Sequence, residues 1–407
     1  MACPFSDREI VLGITGSIAA YKACEIASRL VEAGACVIPV LTESARHFVG
    51  ALSLEAITGN RVITGMFEPI PSPEIEHIAV AKRADLFLIA PATANIMAKA
   101  AHGIADDWLS TTLLATRVPV LFAPAMNCNM YEAPATQANI QILRERGAFF
   151  VGPGSGPLAC GDVGPGRLIE TSTILEAASV LLPGKKDLVG KHVLITSGST
   201  HEAIDPVRFI ANHSSGKMGR ALALEALCRG ARVTVVSGPA KAPLPHAADV
   251  IEVSSAAEML RAVEAQWPHA DVFVAAAAVG DYRVEAPAEK KRKRDGQPVS
   301  LTLVPNEDIA AYAGKTKKPH QVSVGFAAET QDLLENAQEK LERKNLDLIV
   351  ANEVGGEHCA FGAETSRATL LTRAGHPEEP TIASKEALSE RILDAVGTLL
   401  VNKKTCC

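Results

Sequence analysis

"EIVLGITGSIAAYKACEIASRLVEAGA", residues 9–35, decides the fold of the first half of this chain. It reads as an apolar strand, a Gly/Ser/Thr loop and a helix. The same order returns in "KHVLITSGST" (191–200) and "SSGKMGRALALEALCRGA" (214–231). After each helix comes another apolar run, "CVIPVLT" at 36–42 and "RVTVVSG" at 232–238. Further runs suited to buried strands are "DLFLIAPA" (85–92), "VPVLFAPA" (118–125), "DVFVAAAAV" (271–279), "VSVGFAA" (322–328) and "DLIVANEV" (347–354). Helical patterns alternate with them. Repeated βα units predict parallel sheets, doubly wound, with sites at the carboxyl ends of the strands. The expected class is α/β, two Rossmann-like domains. The Pro/Gly/Lys seam "LLPGKKDLVGK" (181–191) divides them, giving a first domain 1–183, a linker 184–190 and a second domain 191–402.

Composition agrees. Of 407 residues, 47% are hydrophobic and only 4% aromatic, so aliphatic side chains fill the core, as in covered parallel sheets. A net charge of −6 argues against a nucleic-acid binder. Nine cysteines form no CxxC pair and no even disulfide framework, and "MACPFSDREI" has no signal-peptide pattern. The expectation is a cytoplasmic protein with reduced thiols. No run of 18 apolar residues suggests a membrane span. The two cysteines of the tail "NKKTCC" read as incidental.

In "GITGSIAAYK" (13–22), Gly16 and Ser17 lie between strand and helix, where backbone N–H groups suit a phosphate. The spacing is not G-x-G-x-x-G, which favours a mononucleotide such as FMN over a dinucleotide. "PATANIMAKAAHGIADD" (91–107) and "PAMNCNMYE" (124–132) are two more strand ends rich in small and polar groups. His77, in "IEHIAV", is placed just before a helix and suits proton transfer near neutral pH. "SGPLACGDVGPGR" (155–167) is so rich in Gly and Pro that neither a helix nor a regular strand is expected, yet it carries a thiol, Cys160, at its centre.

These strings together resemble the flavin-dependent cysteine decarboxylases, specifically the phosphopantothenoylcysteine decarboxylase part of a bifunctional enzyme. The resemblance covers residues 8–182. It rests on an "HI" histidine, a PxMNxxMW-type asparagine and an LACGxxGxGR flap, here His77, Asn127 and Cys160. Tyr131 stands where that family usually has Trp. The resemblance implies FMN as cofactor, with Gly16, Ser17, Thr42, Thr93, Asn95 and Met126 around it. It further implies that Asn127 holds the substrate carboxylate, that His77 manages protons near the thiol, and that Cys160 protonates the enethiolate left after CO₂ departs.

In the second half, "TSGSTHEAIDPVRFIANHSSGKMG" (196–219) contains "SSGK" without Walker A spacing and "HEAID" without HExxH spacing, so neither a P-loop nor a zinc site is assigned. The basic run "EKKRKRDG" (289–296) follows "AAAAVGDYR", where a triphosphate needs cations. With "NEDI", "GFAAET" and "RKNLDLIVAN", these strings resemble the phosphopantothenate–cysteine ligase fused to the decarboxylase in many bacteria and archaea. That resemblance covers about 190–355. It implies attack of a carboxylate on the α-phosphate of CTP, with Mg²⁺, and capture of the acyl-CMP by the amine of L-cysteine. Residue by residue it implies Asn212 and Arg208 at the acyl intermediate. Around the nucleotide it implies Ala275, Ala276, Ala277, Asp281, Asn306, Glu307, Asp308, Ile309, Phe326, Lys340 and Lys344, with Lys290 as the key lysine and Lys291 competing for that place. Ser199 is expected to add bulk near phosphate, and Gly280 replaces a usual Ala. The metal ligands stay unassigned. The implied function is two consecutive steps from 4'-phosphopantothenate to 4'-phosphopantetheine. The implied assembly is a homo-oligomer, trimer-based in the flavin part and dimeric in the ligase part, often a dodecamer. The rival reading is a two-domain flavin or NAD(P)-dependent reductase.

Overall fold

The computed structural model describes residues 4–66, 76–293, 298–329, 333–353, 365–373 and 380–405. The end of the basic run (294–296), Thr330 of "GFAAET" and the tail cysteines 406 and 407 lie outside the described residues. The chain divides into two compact units, Met1–Gly184 and Lys185–Cys407.

The first unit contains β1 (Glu9–Ile14), α1 (Ala23–Glu32), β2 (Cys36–Leu41), α2 (Ala51–Thr58), α3 (Glu76–Arg83), β3 (Leu86–Ala92), α4 (Ala94–His102), α5 (Trp108–Ala115), β4 (Val120–Pro124), α6 (Cys128–Glu132), α7 (Pro134–Glu145), β5 (Phe149–Phe150), β6 (Gly154–Pro157), β7 (Val163–Arg167) and α8 (Thr171–Leu181). Five parallel strands run in the order β2-β1-β3-β4-β5. Alternate residues of each strand face opposite sides. Ile10 and Leu12 join Ile26 and Leu30 of α1 and Ile174 of α8 in one core cluster. Val11, Phe87 and Ile89 join Met97 of α4, Trp108 of α5 and Ile140 of α7 in the other. Burial on both faces explains why these strands read as continuous apolar runs. The order reverses direction between β1 and β3, and a crevice opens at that point.

The glycine-rich stretch 155–167 differs from expectation. Residues Gly154–Pro157 and Val163–Arg167 pair antiparallel as a β-hairpin, with Cys160 at its tip. A register shift between Gly154 and Ser155 absorbs the irregular backbone. Gly156 and Gly166 take φ values of 149° and 143°, which glycine adopts without strain. A two-stranded ribbon has two edges, so Pro157 and Pro165 need no ladder partner on their outer sides. His77 also differs: it lies within the first turn of α3 rather than before the helix.

The second unit contains β8 (His192–Ser197), β9 (His201–Ala203), β10 (Phe209–Ala211), α9 (Lys217–Cys228), β11 (Arg232–Ser237), β12 (Asp249–Glu252), α10 (Ala256–Gln266), β13 (Val272–Ala275), β14 (Tyr282–Val284), β15 (Leu303–Pro305), α11 (Ile309–Thr316), β16 (Val322–Glu329), α12 (Leu333–Arg343), β17 (Leu348–Glu353), β18 (Thr365–Thr372), β19 (Thr381–Ser384) and α13 (Lys385–Thr405). Its sheet has the order β12-β11-β8-β13-β16-β17-β18-β19. The strands from β12 to β17 are parallel, whereas β18 and β19 add antiparallel at one edge. The parallel, doubly wound part is the sheet expected from the repeated βα units, and the antiparallel pair extends it. The order reverses between β8 and β13, again opening a crevice. The run 271–279 leaves the sheet after Ala275, and the freed backbone of Ala276–Val279 borders that crevice. Among the described residues, no helix is long and apolar enough to cross a membrane.

Candidate functional site

In the first unit a cavity of about 530 Å³ lies over the ends of β1, β3 and β4. Gly16 and Ser17 border it from the loop after β1, Thr93 from the end of β3, and Met126 and Asn127 from the end of β4. The hairpin closes another side with Leu158, Ala159 and Cys160. The cradle is built without slack. Thr15 donates to the Pro91 carbonyl at 2.7 Å and accepts from the Thr93 N–H at 3.0 Å, which ties the first and third strand ends together. A Cβ at Gly16 would lie 2.4 Å from Ser44 Cβ, so only glycine fits there. Ser17 caps the short 3₁₀ helix Ile18–Lys22 through the Ala19 N–H, and Thr93 caps α4.

Asn127 is the N-cap of α6, and its Oδ1 accepts from the Asn129 N–H at 2.9 Å. That bond turns Nδ2 outward, where it donates to Cys160 Sγ at 3.2 Å and to Asp162 Oδ2 at 2.7 Å. The Cys160 thiol donates to the same carboxylate oxygen at 3.3 Å. The Asn127 hydrogen bond, then that of Cys160, holds the Asp162 carboxyl below its ordinary range. Two residues 33 positions apart in sequence are thus brought into contact at the mouth of the cavity. Tyr131 packs against the apolar cluster of α4 and α7 and does not line the cavity.

Three of the expected residues are not gathered here. Thr42 stands at the start of the 3₁₀ turn Glu43–His47, with its hydroxyl on the Ile14 carbonyl rather than on the turn. Asn95 is exposed in the first turn of α4. His77, half-buried in α3, does not line the cavity. Asp162 went unread as a site residue, although it stands within the flap motif.

In the second unit a cavity of about 730 Å³ lies over the reversal between β8 and β13. It gathers Asn212, Ala275, Ala276, Ala277, Asp281, Asn306, Glu307, Asp308, Ile309, Phe326, Lys340 and Lys344. Asn212 Nδ2 donates to the Val279 carbonyl at 2.9 Å, and Asn306 Nδ2 to the Gly280 carbonyl at 2.8 Å, so both amides pin the loop that borders the crevice. Asp308 caps α11 through the Ala311 N–H at 3.0 Å and pairs with Lys344 Nζ at 2.8 Å. Burial works to raise its carboxyl, but the Lys344 ammonium and the cap bond outweigh that and leave it lowered. Residues Ser214–Gly219 also line the cavity. They lead into α9, whose N-terminal N–H groups offer an anion seat. A Cβ at Gly219 would meet Ser197 Oγ at 2.2 Å, so the helix start packs directly onto the end of β8. The signal for this segment was the quoted "SSGKMG" string. Asn352 and Lys385 also line the cavity and carried no signal of their own.

Arg208, Lys290 and Lys291 do not line this cavity. Arg208 is clasped by Asp205, with Nε at 2.9 Å, and donates to the Arg292 carbonyl at 2.9 Å, which fastens it to the basic run. Ser199 is buried with its hydroxyl on the Pro239 carbonyl at 3.3 Å and is not among the residues that line this cavity. At Gly280 a Cβ would meet nothing closer than 3.4 Å.

The family Flavoprotein matches residues 4–181, and the DNA/pantothenate metabolism flavoprotein C-terminal domain matches residues 188–399. The chain is 45% identical over 397 residues to the coenzyme A biosynthesis bifunctional protein CoaBC of Bacillus subtilis, covering 97% of this chain and 98% of that protein. It is 42% identical over 396 residues to the protein of the same name from Escherichia coli, covering 97% of each. The crystal structure of the C-terminal domain of a coenzyme A biosynthesis bifunctional protein CoaBC is 34% identical, with a TM-score of 0.46, covering 54% of this chain and 100% of that one.

Proposed function

The chain belongs to the family of coenzyme A biosynthesis bifunctional proteins, and on that premise we propose how its own residues divide two consecutive reactions. The second unit couples 4'-phosphopantothenate to L-cysteine at the expense of CTP, releasing CMP and diphosphate. The first unit decarboxylates the product to 4'-phosphopantetheine. The reductase alternative is not favoured: the relatives are aligned over both units, and no G-x-G-x-x-G follows either first strand. We assign the decarboxylase to 1–183 and the ligase to 191–402, joined by 184–190.

The cofactor of the first unit is proposed to be FMN. The cavity volume is within the ~300–1,000 Å³ of small-molecule pockets. Gly16, Ser17 and Thr93 supply small side chains and capped helix starts at the strand ends, as a phosphate-bearing group requires. FMN, when bound, supplies the reversible two-electron exchange that makes the substrate C–S carbon a sink for the electron pair left by CO₂. The Asn127 amide, fixed by its cap bond, receives the substrate carboxylate. Cys160, carried on the hairpin tip, delivers a proton to the resulting enethiolate and shields it from water. His77 is proposed to manage the thiol proton. Because it does not line the cavity of its own chain, we propose that a homo-oligomer supplies it from a second copy, within a trimer-based, dodecameric arrangement.

In the second unit, Lys340 and Lys344 face the nucleotide phosphates, Phe326 and Ala275–Ala277 the rest of CTP, and Asn212 the acyl intermediate. Arg208 and Lys290, outside the cavity, are proposed to close over it with the basic run, Lys291 being the competing lysine. Among the described residues no group of three His, Cys, Asp or Glu could hold a metal. Mg²⁺ is therefore proposed to arrive on the triphosphate, held by phosphate oxygens and water. Among the described residues, Cys24, Cys36, Cys128 and Cys160 form no disulfide, which supports a reducing compartment, the cytoplasm.

The single observation that carries the decarboxylase reading is the Asn127–Cys160 contact at the cavity mouth. Its test is Cys160→Ser, read by single-turnover mass spectrometry with flavin absorbance in parallel. CO₂ release should persist while the final reduction stalls, leaving an oxidised enethiol product and reduced flavin. Normal phosphopantetheine formation would remove Cys160 from the mechanism.

A further inference from the structure

We propose that Asp162 is a latch: in the substrate-free protein its carboxylate occupies the Asn127 amide that the substrate carboxylate must take, so the hairpin is held shut until an arriving carboxylate displaces it. The inference rests on the reading of the first unit as a decarboxylase and adds a residue to it.

The accounting is at one side chain. The Asn127 Oδ1 is used by the Asn129 N–H. An amide nitrogen has two N–H donors. Here Nδ2 reaches both Asp162 Oδ2 and Cys160 Sγ, so the amide has no donor left for a ligand. The Cys160 thiol donates to the same Asp162 oxygen, which makes Asp162 the common partner of both groups. A substrate carboxylate arriving at Nδ2 meets a like charge within one hydrogen-bond length, and one of the two anions has to leave.

The hairpin is built to let the tip move and the base stay. At the base, the Met126 N–H donates to the Gly166 carbonyl at 2.9 Å. A Cβ at Gly166 would lie 2.2 Å from the Met126 carbonyl oxygen, so that end is packed onto the strand carrying Asn127. At the tip, the side-chain hydrogen bonds to the body among the described residues are those of Asp162 and Cys160, both exposed, with Cys128 Sγ at 4.0 Å from Asp162. Displacing Asp162 therefore removes the carboxylate to which the Cys160 thiol donates and leaves Sγ only its contact with Asn127 Nδ2. Recognition of the carboxylate and release of the proton donor become one event, and a ligand lacking a carboxylate leaves the latch closed.

The test uses the full-length, flavin-loaded protein with Asp162→Asn and Asp162→Ala. The first readout is the rate of Cys160 alkylation by iodoacetamide without substrate, followed by peptide mass spectrometry. The second is KM and kcat for phosphopantothenoylcysteine. Loss of the exposed charged tie should raise alkylation about threefold in both variants and lower KM by a similar factor without raising kcat. A residue with a merely structural role would raise KM or lower kcat instead. Unchanged alkylation together with an unchanged or higher KM in both variants overturns the latch. A wild-type protein that does not decarboxylate overturns the underlying reading, and the alkylation ratio then decides the latch contact separately.

Discussion

One methyl group at Gly16 tests the cofactor cradle. The added Cβ would stand 2.4 Å from Ser44 Cβ, 3.2 Å from the Ser44 carbonyl carbon and 3.3 Å from its oxygen. Ordinary carbon contacts are ~3.5–4.0 Å, so more than an ångström must be recovered. Rotating the Ser44 side chain cannot supply it, because backbone atoms are crowded too. The 3₁₀ turn Glu43–His47 has to move, and Thr42, at its start, is tied to the Ile14 carbonyl. Overpacking of this kind costs ~1–3 kcal/mol. For a unit of this size that lowers the melting temperature by roughly 2–12 °C at ~2–4 °C per kcal/mol. If the strain falls on the flavin-bound geometry, affinity falls about 5- to 150-fold. The assay is flavin stoichiometry by absorbance and flavin-fluorescence melting of the full chain. Gly184→Ala is the matched control, since nothing lies within 4 Å of its added Cβ. A Gly16→Ala protein with full flavin content, melting within about 1 °C of that control, would refute the close approach as the reason for glycine.

Lys290→Ala should abolish ligation while sparing decarboxylation of supplied phosphopantothenoylcysteine; if Lys291→Ala is instead the severe variant, the register across the basic run is off by one residue. Arg229 is 2% exposed and bonded to Glu225 at 2.8 Å and Asp394 at 2.7 Å, so Arg229→Ala should cost about 3 kcal/mol in urea unfolding, well above the loss expected at an exposed arginine. Asp308 has a lowered folded-state pKa through Lys344 and its cap bond. Its contribution is therefore complete above the ordinary carboxylate value of ~3.9 and is lost as pH falls through the lower folded value. Asp308→Asn should accordingly destabilise the protein by about 0.5–1 kcal/mol near pH 6, and the gap from wild type should close in strong acid; a gap that widens toward acid would contradict the assignment.

Much of the second cavity was legible before any fold was drawn. The residues at strand ends, Ala275–Ala277, Asn306–Ile309 and Phe326, could be named because the strings around them resemble the phosphopantothenate–cysteine ligase; the apolar runs by themselves marked only the strands. The hairpin was not legible. Local composition at 155–167 argues against a strand, and only the pairing partner across the turn makes one. Strands β18 and β19 were missed for a related reason: β19 is a short, largely exposed edge strand, and β18, which it covers, is broken by Arg367 and does not read as a continuous apolar run. The resemblance implied Arg208 at the acyl intermediate and the basic run beside the nucleotide. The clasp of Arg208 by Asp205 is local, three residues apart, but its bond to the Arg292 carbonyl joins residues 84 apart in sequence.

The sequence by itself determined the two α/β units, the strand and helix order, and the chemical types at each strand end. Those follow from periodicity, glycine placement and capping, all of which act over a few residues. Only the tertiary structure decided that Asn127 meets Cys160, that Asp162 stands between them, and that His77 remains outside the cavity of its own chain. Such contacts depend on the closing of loops tens of residues long and on where a two-stranded ribbon folds back. No local preference encodes that distance.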